Sequence, residues 1–233
     1  MNASGHDRID GLRPPHRLRL LDVLNDSERQ IVKEASRLVR FRRRQRIYTT
    51  GSRADQLFIV RSGVVKLNTI SAQGRELILS FLHPGEVFGE LAVVDPEPRD
   101  HIAEAYEDTE AYAVDSDVLQ RLMQGSPQIG CEVAKLLGSR MKAYRTRVEE
   151  LLFKSAHARV AHTLVDLAGH HGVHDADGVV IPLRLSQRDI ANLVGVTRET
   201  VNFILKDLRQ RNLIENQGRS IRVRAPETLL AQQ

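Results

Sequence analysis

Two short amphipathic helices joined at a glycine constrain the fold of this chain more than any other stretch. They are predicted over residues 185–210, LSQRDIANLVGVTRETVNFILKDLRQ. Ser186 is a favourable helix N-cap, and Asp189 three residues later can complete a capping box. Gly195 permits a backbone turn that a side chain would hinder, and Thr197 can cap the second helix. This layout is typical of a helix-turn-helix that reads DNA.

The second predicted helix presents two different faces. Its apolar residues, from Val201 to Leu208, recur at helical spacing, so we expect them to point to the core. Its first turn then carries Arg198 and Glu199, at the position where a recognition helix meets base edges. The residues expected to contact DNA are Ser186, Gln187, Thr197, Arg198, Glu199, Asn202, Phe203, Lys206 and Arg219.

A predicted hairpin follows the helix pair. Residues 213–223, LIENQGRSIRV, are two β-rich runs flanking Gln217 and Gly218, and a hairpin after a helix-turn-helix makes a winged helix. Arg219 is expected near the wing tip, where a cation can touch phosphate. Residues 184–224 carry nine Lys or Arg and four Asp or Glu, a net +5, against +4 for the whole chain. The basic excess coincides with the motif, which favours double-stranded DNA as the partner.

The middle of the chain has a β pattern. Short β-rich runs cut by glycines fill residues 38–114, and they predict an antiparallel barrel or jelly roll. We therefore expect an α+β protein with an antiparallel β-roll. The basic run RFRRRQR at 40–46 is interpreted as a solvated strand face rather than a second nucleic-acid patch. The predicted divisions are a loose arm at 1–17, the β-roll domain at 18–125, a long helix at 126–153 and the winged helix at 154–233.

One apolar seam runs along the predicted helix at 126–153. Its residues are three or four apart, as expected on a single face of one long helix. Such a helix is either a core helix or a dimer seam, and its place between a β domain and a DNA module favours the dimer. A two-fold homodimer would place two reading helices in successive major grooves. The seam consists of Ile129, Val133, Leu137, Met141, Tyr144, Val148 and Leu151.

With β-roll, long helix and winged helix in this order, the chain resembles the CRP/FNR family of bacterial transcription regulators. The similar runs are LFIVRSGVVKL, GRELILSFLHPGEVFGELAVV, the pair Pro98-Arg99, and TRETVNFIL at 197–205. The resemblance implies a homodimer on a palindromic TGTGA-like site, contact with RNA polymerase, and a signal in the β-roll that repositions the helix-turn-helix. We expect Arg198 to bind a guanine and Glu199 to accept from a cytosine amino group. Phe203 stands where cyclic-AMP regulators of the family carry a second base-reading arginine.

The resemblance also implies an effector pocket in the β-roll. In cyclic-nucleotide binders the glycine of FGEL admits phosphate, the glutamate accepts a ribose hydroxyl and the following arginine pairs with phosphate. Gly89, Glu90 and Arg99 match those positions, whereas Asp100 replaces a small residue and would repel phosphate. The Thr-Ser pair that contacts adenine becomes Tyr144-Arg145. The predicted pocket residues are Gly89, Glu90, Leu91, Arg99, Asp100, Tyr144 and Arg145.

These departures predict that Asp100 forms an ion pair with Arg99 and fills the phosphate site. The protein would then reach a DNA-competent state without cyclic AMP. Control by a cyclic nucleotide and control by another ligand stay open as alternatives. The residues alone leave the effector, the target promoters and the choice between activation and repression undecided.

Composition narrows the remaining classes. The chain has 233 residues, of which 41% are hydrophobic and 27% charged, as in an ordinary globular protein. It lacks an apolar run of membrane-helix length, and its polar start MNASGHDRID is not a signal peptide, so we expect a cytoplasmic protein with no membrane partner. The single cysteine, Cys131, excludes an iron–sulfur cluster or a zinc site held by several cysteines of one chain.

Three further hypotheses rest on few side chains. Haem could be held by His83 or His101, but neither lies in a distinctive haem motif, so haem is disfavoured. Residues 170–177, HHGVHDAD, have metal-ligand side chains, but a solvated loop before a strand at 179–185 is favoured and no metal site is predicted. A hydrolytic site using Glu90, Asp100 and His101 is a remote alternative, because nothing fixes a nucleophile or a triad spacing. We therefore do not expect an enzyme.

Overall fold

The computed structural model describes residues 24–95, 97–217 and 220–231. Two compact units divide between Arg147 and Val148. The arm predicted at 1–17 and the wing residue Arg219 lie outside the described residues. The mixture of an antiparallel β-roll with a helical C-terminal part confirms the predicted α+β class.

The first unit is built on two four-stranded antiparallel sheets. Their strand orders are β1-β8-β3-β6 and β2-β7-β4-β5. The strands are β1 (Arg37–Phe41), β2 (Arg46–Tyr48), β3 (Gln56–Ser62), β4 (Val65–Ile70), β5 (Glu76–Leu82), β6 (Val87–Phe88), β7 (Ile102–Ala105) and β8 (Thr109–Asp115). Both sheets contribute to one core, in which Phe58 stacks on Phe88 with 5.0 Å between ring centroids. This core closes the roll and holds the loops between its strands in place.

Helices flank the roll. They are α1 (Asp26–Ala35), α2 (Leu91–Val94), α3 (Ser116–Gly125) and α4 (Pro127–Phe153). A second core cluster unites α1, α3 and the start of α4 with the sheet through Val32, Leu119 and Ile129 among others. The long helix predicted at 126–153 is thereby confirmed as α4, and it begins at a proline, which suits the first position of a helix.

The second unit is a winged helix. Its elements are α5 (Ala156–His171), β9 (Val173–Asp175), β10 (Gly178–Ile181), α6 (Gln187–Val194), α7 (Arg198–Gln210), β11 (Ile214–Gln217), β12 (Ser220–Val223) and α8 (Pro226–Leu230). The strands form one sheet in the order β11-β12-β10-β9. Gln217 of β11 pairs with Ser220 of β12, so the predicted hairpin is confirmed, with Gln217 in its first strand rather than between the strands.

The segment before α6 differs from the prediction. Residues 173–181 form a hairpin rather than a loop, because Val179 of β10 pairs with His174 of β9. The strand ends at Ile181 instead of continuing to 185. Pro182 follows directly, and proline cannot donate a ladder hydrogen bond.

Candidate functional site

Local hydrogen bonds set the ends of α6 and α7. Ser186 Oγ accepts the Asp189 amide at 3.1 Å, and Asp189 Oδ2 accepts the Ser186 amide at 2.8 Å, which completes the predicted capping box. Gly195 ends α6 with φ +74°, a conformation that favours glycine. Thr197 Oγ1 then caps α7 by accepting the Thr200 amide at 3.2 Å. These caps fix the turn between the two helices.

Helix α7 separates its faces as predicted. Val201, Ile204, Leu205 and Leu208 are buried, whereas Phe203 is 74% exposed. Arg198, Glu199, Asn202 and Lys206 are also exposed. A cleft of about 760 Å³ brings together Ser186, Gln187, Thr197, Arg198 and Glu199.

One side-chain hydrogen bond joins the two helices on this surface. Gln187 Nε2 donates to Asn202 Oδ1 at 3.0 Å. The bond orients both side chains before any DNA arrives. Of the predicted contact residues, Arg219 lies outside the described residues.

Part of the basic excess of this unit is internal. Arg222 on β12 lies 2.6 Å from Asp175 Oδ2 and 3.3 Å from Glu215 Oε2. Arg224 lies 2.6 Å from the same Glu215 oxygen. These contacts lower the pKa of the Glu215 and Asp175 carboxyls, with the arginine hydrogen bonds as the largest cause. Arg222 and Arg224 therefore hold the wing sheet together, so the charge count overstates the number of cations available to DNA.

The predicted effector pocket is organised around a buried arginine. Arg99 is 6% exposed, and its Nη1 donates to the Gly89 carbonyl at 3.0 Å while its Nη2 donates to the Gln56 carbonyl. Its guanidinium also lies 4.4 Å from the ring centroid of Tyr48. A Cβ added to Gly89, which has φ +74°, would lie 2.8 Å from Arg99 Nη1. Gly89 thus admits the guanidinium of this chain's own arginine.

The predicted ion pair between Asp100 and Arg99 is wrong. Asp100 Oδ1 lies 2.5 Å from His101 Nδ1, and His101 Nε2 lies 2.7 Å from the Tyr48 hydroxyl. The guanidinium is already surrounded by two carbonyls and an aromatic ring, so the carboxylate turns to the neighbouring histidine. Burial raises the pKa of the Tyr48 phenol, so the hydroxyl keeps its proton. Both ring nitrogens of His101 are engaged, which leaves neither available to haem.

Two cavities adjoin Arg99. One measures about 360 Å³ and is lined by Arg46, Tyr48 and Arg53 among others. The other contains most of the predicted pocket residues and measures about 110 Å³, whereas small-molecule sites span roughly 300–1,000 Å³. Its lining includes the predicted Gly89, Glu90, Leu91, Arg99 and Asp100 but neither Tyr144 nor Arg145. The other lining residues are Ala54, Asp95, Glu97, Pro98 and His101. Among the described residues that line this smaller cavity, Arg99 is the only arginine or lysine, beside four carboxylates.

Arg140 is a pocket neighbour that the sequence reasoning missed. Its Nε lies 2.7 Å from Glu90 Oε1, and its Nη2 donates to the Val87 carbonyl at 2.5 Å. The oxygen that would accept a ribose hydroxyl is therefore next to a cation of α4. Arg140 precedes Tyr144 by four residues, one helical turn, and that spacing is the signal that could have identified it. Burial raises the pKa of the Tyr144 phenol.

The predicted dimer seam divides into two parts. Ile129 is 0% and Val133 4% exposed in the single chain, so neither is available for a dimer interface, and including them was wrong. Periodicity placed them in the seam, but the start of α4 packs on its own β-roll core. Leu137 is half-buried. The exposed apolar residues are Met141, Tyr144, Val148, Leu151 and, beyond the prediction, Leu152 and Phe153.

The described residues also bear on membrane insertion and on metal binding. Their helices include none that is long and apolar enough to cross a bilayer. Their His, Cys, Asp and Glu side chains include no group of three or more arranged to hold a metal ion.

Comparison with known proteins covers most of the chain. Residues 38–126 match the family model of the cyclic nucleotide-binding domain, and residues 158–232 match that of the Crp-like helix-turn-helix domain. The chain is 32% identical to the CRP-like cAMP-activated global transcriptional regulator of Mycobacterium tuberculosis over 191 residues, 82% of this chain and 85% of that protein.

Solved structures agree with this match. FixK2 from Bradyrhizobium japonicum superposes with a TM-score of 0.76 at 25% identity, covering 83% of this chain and 95% of that one. A CooA mutant from Carboxydothermus hydrogenoformans gives 0.75 at 26% identity, covering 94% and 95%. The β-roll and the winged helix described above correspond to the two matching family models. The chain therefore belongs to the CRP/FNR family of DNA-binding transcription regulators.

Proposed function

We propose that this regulator acts as a homodimer on a palindromic TGTGA-like site and reaches its DNA-competent state without cyclic AMP. The observation that carries the second part is the set of contacts that Arg99 already makes within the chain. Its guanidinium donates to the carbonyls of Gly89 and Gln56 and lies over Tyr48. A phosphate would have to displace these contacts before it could pair with Arg99.

The surroundings of Arg99 add to this barrier. Glu90, Asp95, Glu97 and Asp100 line the cavity of about 110 Å³; Glu90 is paired with Arg140, and the other three carboxylates oppose an incoming phosphate. The cavity must also grow severalfold to admit a nucleotide. Charge repulsion and the small cavity both weaken the binding of cyclic AMP, so we expect the ligand-free form to be the one that binds DNA.

A cyclic-nucleotide-dependent regulator is the second candidate. The M. tuberculosis relative is named as cAMP-activated, and the β-roll matches the cyclic nucleotide-binding family model. Gly89, Glu90 and Arg99 are retained at the cassette positions. This candidate requires Arg99 to leave its carbonyls when the ligand enters.

DNA affinity with and without cyclic AMP, at one fixed salt concentration, separates the two candidates. Calorimetry with cyclic AMP and cyclic GMP measures binding directly. We expect weak or undetectable nucleotide binding and equal DNA affinity in both conditions. Asp100→Ser should improve any residual nucleotide binding because it removes a negative charge from the cavity. Tight nucleotide binding that strongly enhances DNA affinity would establish the second candidate instead.

Base reading is assigned to the exposed first turn of α7. Arg198 is proposed to make two hydrogen bonds to a guanine, and Glu199 to accept from a cytosine amino group. Phe203 cannot donate to a guanine but can pack on a thymine methyl, so the second guanine of the half-site is read less strictly. Selection of binding sites from random DNA tests this assignment, and an unchanged preference in Arg198→Ala would contradict it.

The remaining assignments concern partners. The exposed apolar residues of α4 from Met141 onward support a dimer, because a second copy of the helix would cover them. RNA polymerase is the second protein partner, and the β9–β10 hairpin is the proposed contact because family resemblance places this region near a polymerase surface. We propose a binding role, in the cytoplasm, where the DNA lies. The Glu90–His101 region is assigned no reaction, since Glu90 faces Arg140 and both ring nitrogens of His101 are engaged.

A further inference from the structure

Three polar side chains connect the rim of the small cavity to the buried arginine. Asp100 Oδ1 lies 2.5 Å from His101 Nδ1, and His101 Nε2 lies 2.7 Å from the Tyr48 hydroxyl. The ring of Tyr48 in turn carries the Arg99 guanidinium 4.4 Å from its centroid. We call Asp100, His101 and Tyr48 the side-chain relay. The function proposed above uses the charge of Asp100 and gives the relay as a whole no role.

The chemistry of the three groups fixes the direction of the hydrogen bonds in the relay. Burial raises the pKa of the Tyr48 phenol, so its hydroxyl keeps a proton and donates it to His101 Nε2. The proton of the neutral imidazole then lies on Nδ1, and it is donated to the Asp100 carboxylate, which can only accept. Both hydrogen bonds therefore point from Tyr48 toward the negative charge of Asp100.

This direction strengthens the contact between Tyr48 and Arg99. Hydrogen bonds in a chain polarise one another, and a hydroxyl that donates toward a carboxylate leaves its ring richer in electrons. A cation over a ring face is attracted by the electron density of that ring. Asp100 thus acts on Arg99 through His101 and Tyr48, although it makes no ion pair with the guanidinium.

Packing keeps the ring of Tyr48 in position for this contact. Tyr48 is 8% exposed, and its ring centroid lies 6.2 Å from that of Phe58 and 6.1 Å from that of Phe88. The backbone adds a second connection, because the Arg99 amide donates at 2.9 Å to the carbonyl of Ser52, in the turn that follows β2. The backbone and the guanidinium of Arg99 are therefore both held from the side of β2.

We propose that the side-chain relay determines the ligand specificity of the small cavity, because it keeps Arg99 on the Gly89 and Gln56 carbonyls and away from anions. An anion can pair with Arg99 only after the guanidinium has left these carbonyls and the Tyr48 ring. The relay therefore excludes ligands recognised through a phosphate or carboxylate as a class. This inference rests on the function proposed above, and it names the residues that keep the protein independent of cyclic AMP.

Three variants of the full-length protein test the relay. Tyr48→Phe removes the hydroxyl and keeps the ring and every charge. Its matched control is Tyr112→Phe, since the Tyr112 ring also lies beside an arginine of the same unit, with Arg61 Cζ 5.9 Å from its centroid. Asp100→Asn removes the charge but keeps an oxygen that accepts from His101. The Asp100 side chain is 72% exposed, so this change leaves the core intact.

Nitrogen NMR of ligand-free protein measures how fast the Arg99 guanidinium rotates about its Nε–Cζ bond. The signal is assigned by its absence from Arg99→Met. We expect Tyr48→Phe and Asp100→Asn each to accelerate this rotation roughly 2- to 10-fold, the effect of losing about one hydrogen bond, and Tyr112→Phe to leave it unchanged. The double variant Tyr48→Phe/Asp100→Asn should rotate no faster than Tyr48→Phe, because both residues act through the same chain.

Anion affinity is measured separately by titration with inorganic phosphate and with cyclic AMP, at constant ionic strength. Tyr48→Phe should bind both probes more tightly than the wild type by about the factor seen in the rotation of Arg99, roughly 2- to 10-fold. Tyr112→Phe should match the wild type. Because Tyr48→Phe changes no charge, a gain in affinity reports the release of Arg99 rather than weaker repulsion.

Three results would overturn the proposal. Arg99 could rotate equally fast in the wild type and in Tyr48→Phe. Asp100→Asn could accelerate Arg99 equally with and without the Tyr48 hydroxyl, which would mean a direct charge effect. Or Arg99 could rotate faster in Tyr48→Phe while the affinity for phosphate stays the same, so that the relay would not set specificity. Tight binding of cyclic AMP by the wild type with a strong gain in DNA affinity would instead contradict the proposed function itself, and the ligand-free rotation of Arg99 would still report on the relay.

Discussion

Replacing Arg99 with methionine tests whether this arginine is a structural residue or a free phosphate ligand. The two possibilities predict different stabilities for the nucleotide-free Arg99→Met protein. A structural arginine stabilises the empty β-roll, so its loss destabilises the fold. An arginine that waits for phosphate is buried without full compensation, so its loss is neutral or stabilising.

The contacts of Arg99 set the expected size of the effect. It makes two hydrogen bonds to carbonyls, each worth about 1.5–3 kcal/mol for a charged donor, and it lies over Tyr48. Methionine keeps the length of the side chain and returns about 2 kcal/mol by burying apolar surface. We therefore expect a net loss of about 3 kcal/mol. That corresponds to a fall of roughly 6–12 °C in unfolding temperature, at about 2–4 °C per kcal/mol.

Calorimetric unfolding of ligand-free protein provides the measurement, with Arg53→Met as the control. Arg53 is exposed and lies 3.3 Å from Asp55, a surface pair worth at most about 1 kcal/mol. Equal unfolding temperatures for Arg99→Met and Arg53→Met would refute the reasoning. So would a large stabilisation of the wild type by cyclic AMP, since a ligand at 100 times its Kd adds about 2.7 kcal/mol.

Three more predictions concern the dimer and the winged helix. Met141→Glu with Val148→Glu should yield monomers that bind a palindromic site weakly, because both side chains are exposed in the single chain; a full dimer in sedimentation would place the interface elsewhere. Burial, with Lys154 nearby, lowers the pKa of His162, so the unfolded state binds the proton more readily. Stability of the second unit should fall as pH drops below about 6.5, and His162→Gln should reduce the loss in urea midpoint between about pH 7.5 and about 5.5. Thr197→Ala should cost the second unit about 1 kcal/mol in urea unfolding by removing a helix cap, whereas Thr197→Ser should keep it.

Features with local causes were predictable from the sequence. The capping box of Ser186 and Asp189, the turn at Gly195 and the cap at Thr197 each depend on residues within a few positions. Spacing also predicted the long helix. Spacing could not show at which residue the helix stops packing on the β-roll core. Ile129 and Met141 belong to the same periodic seam and differ only in what packs on them.

The state of the effector pocket depends on contacts that are distant in sequence. Arg99 donates to Gln56 across 43 positions, Arg140 to Val87 across 53, and His101 meets Tyr48 across 53. Residue types at the cassette predicted a close approach at Gly89, and the structure shows one. They could not predict which group makes that approach.

The same distinction applies to charge. Counting cations over the winged helix and over residues 40–46 treats every arginine alike, but the structure separates them by their partners. Arg222 is held by carboxylates of its own sheet, whereas Arg42 and Arg43 have no ion-pair partner among the described residues. A cation without an internal counter-charge exchanges solvent ions for phosphate at lower cost, so the pairing of each arginine matters more for DNA binding than the number of arginines. The arginines of residues 40–46 are exposed, in agreement with their interpretation as a solvated face, whereas the charge count gave the wing sheet more available cations than the ion pairs of Arg222 and Arg224 leave.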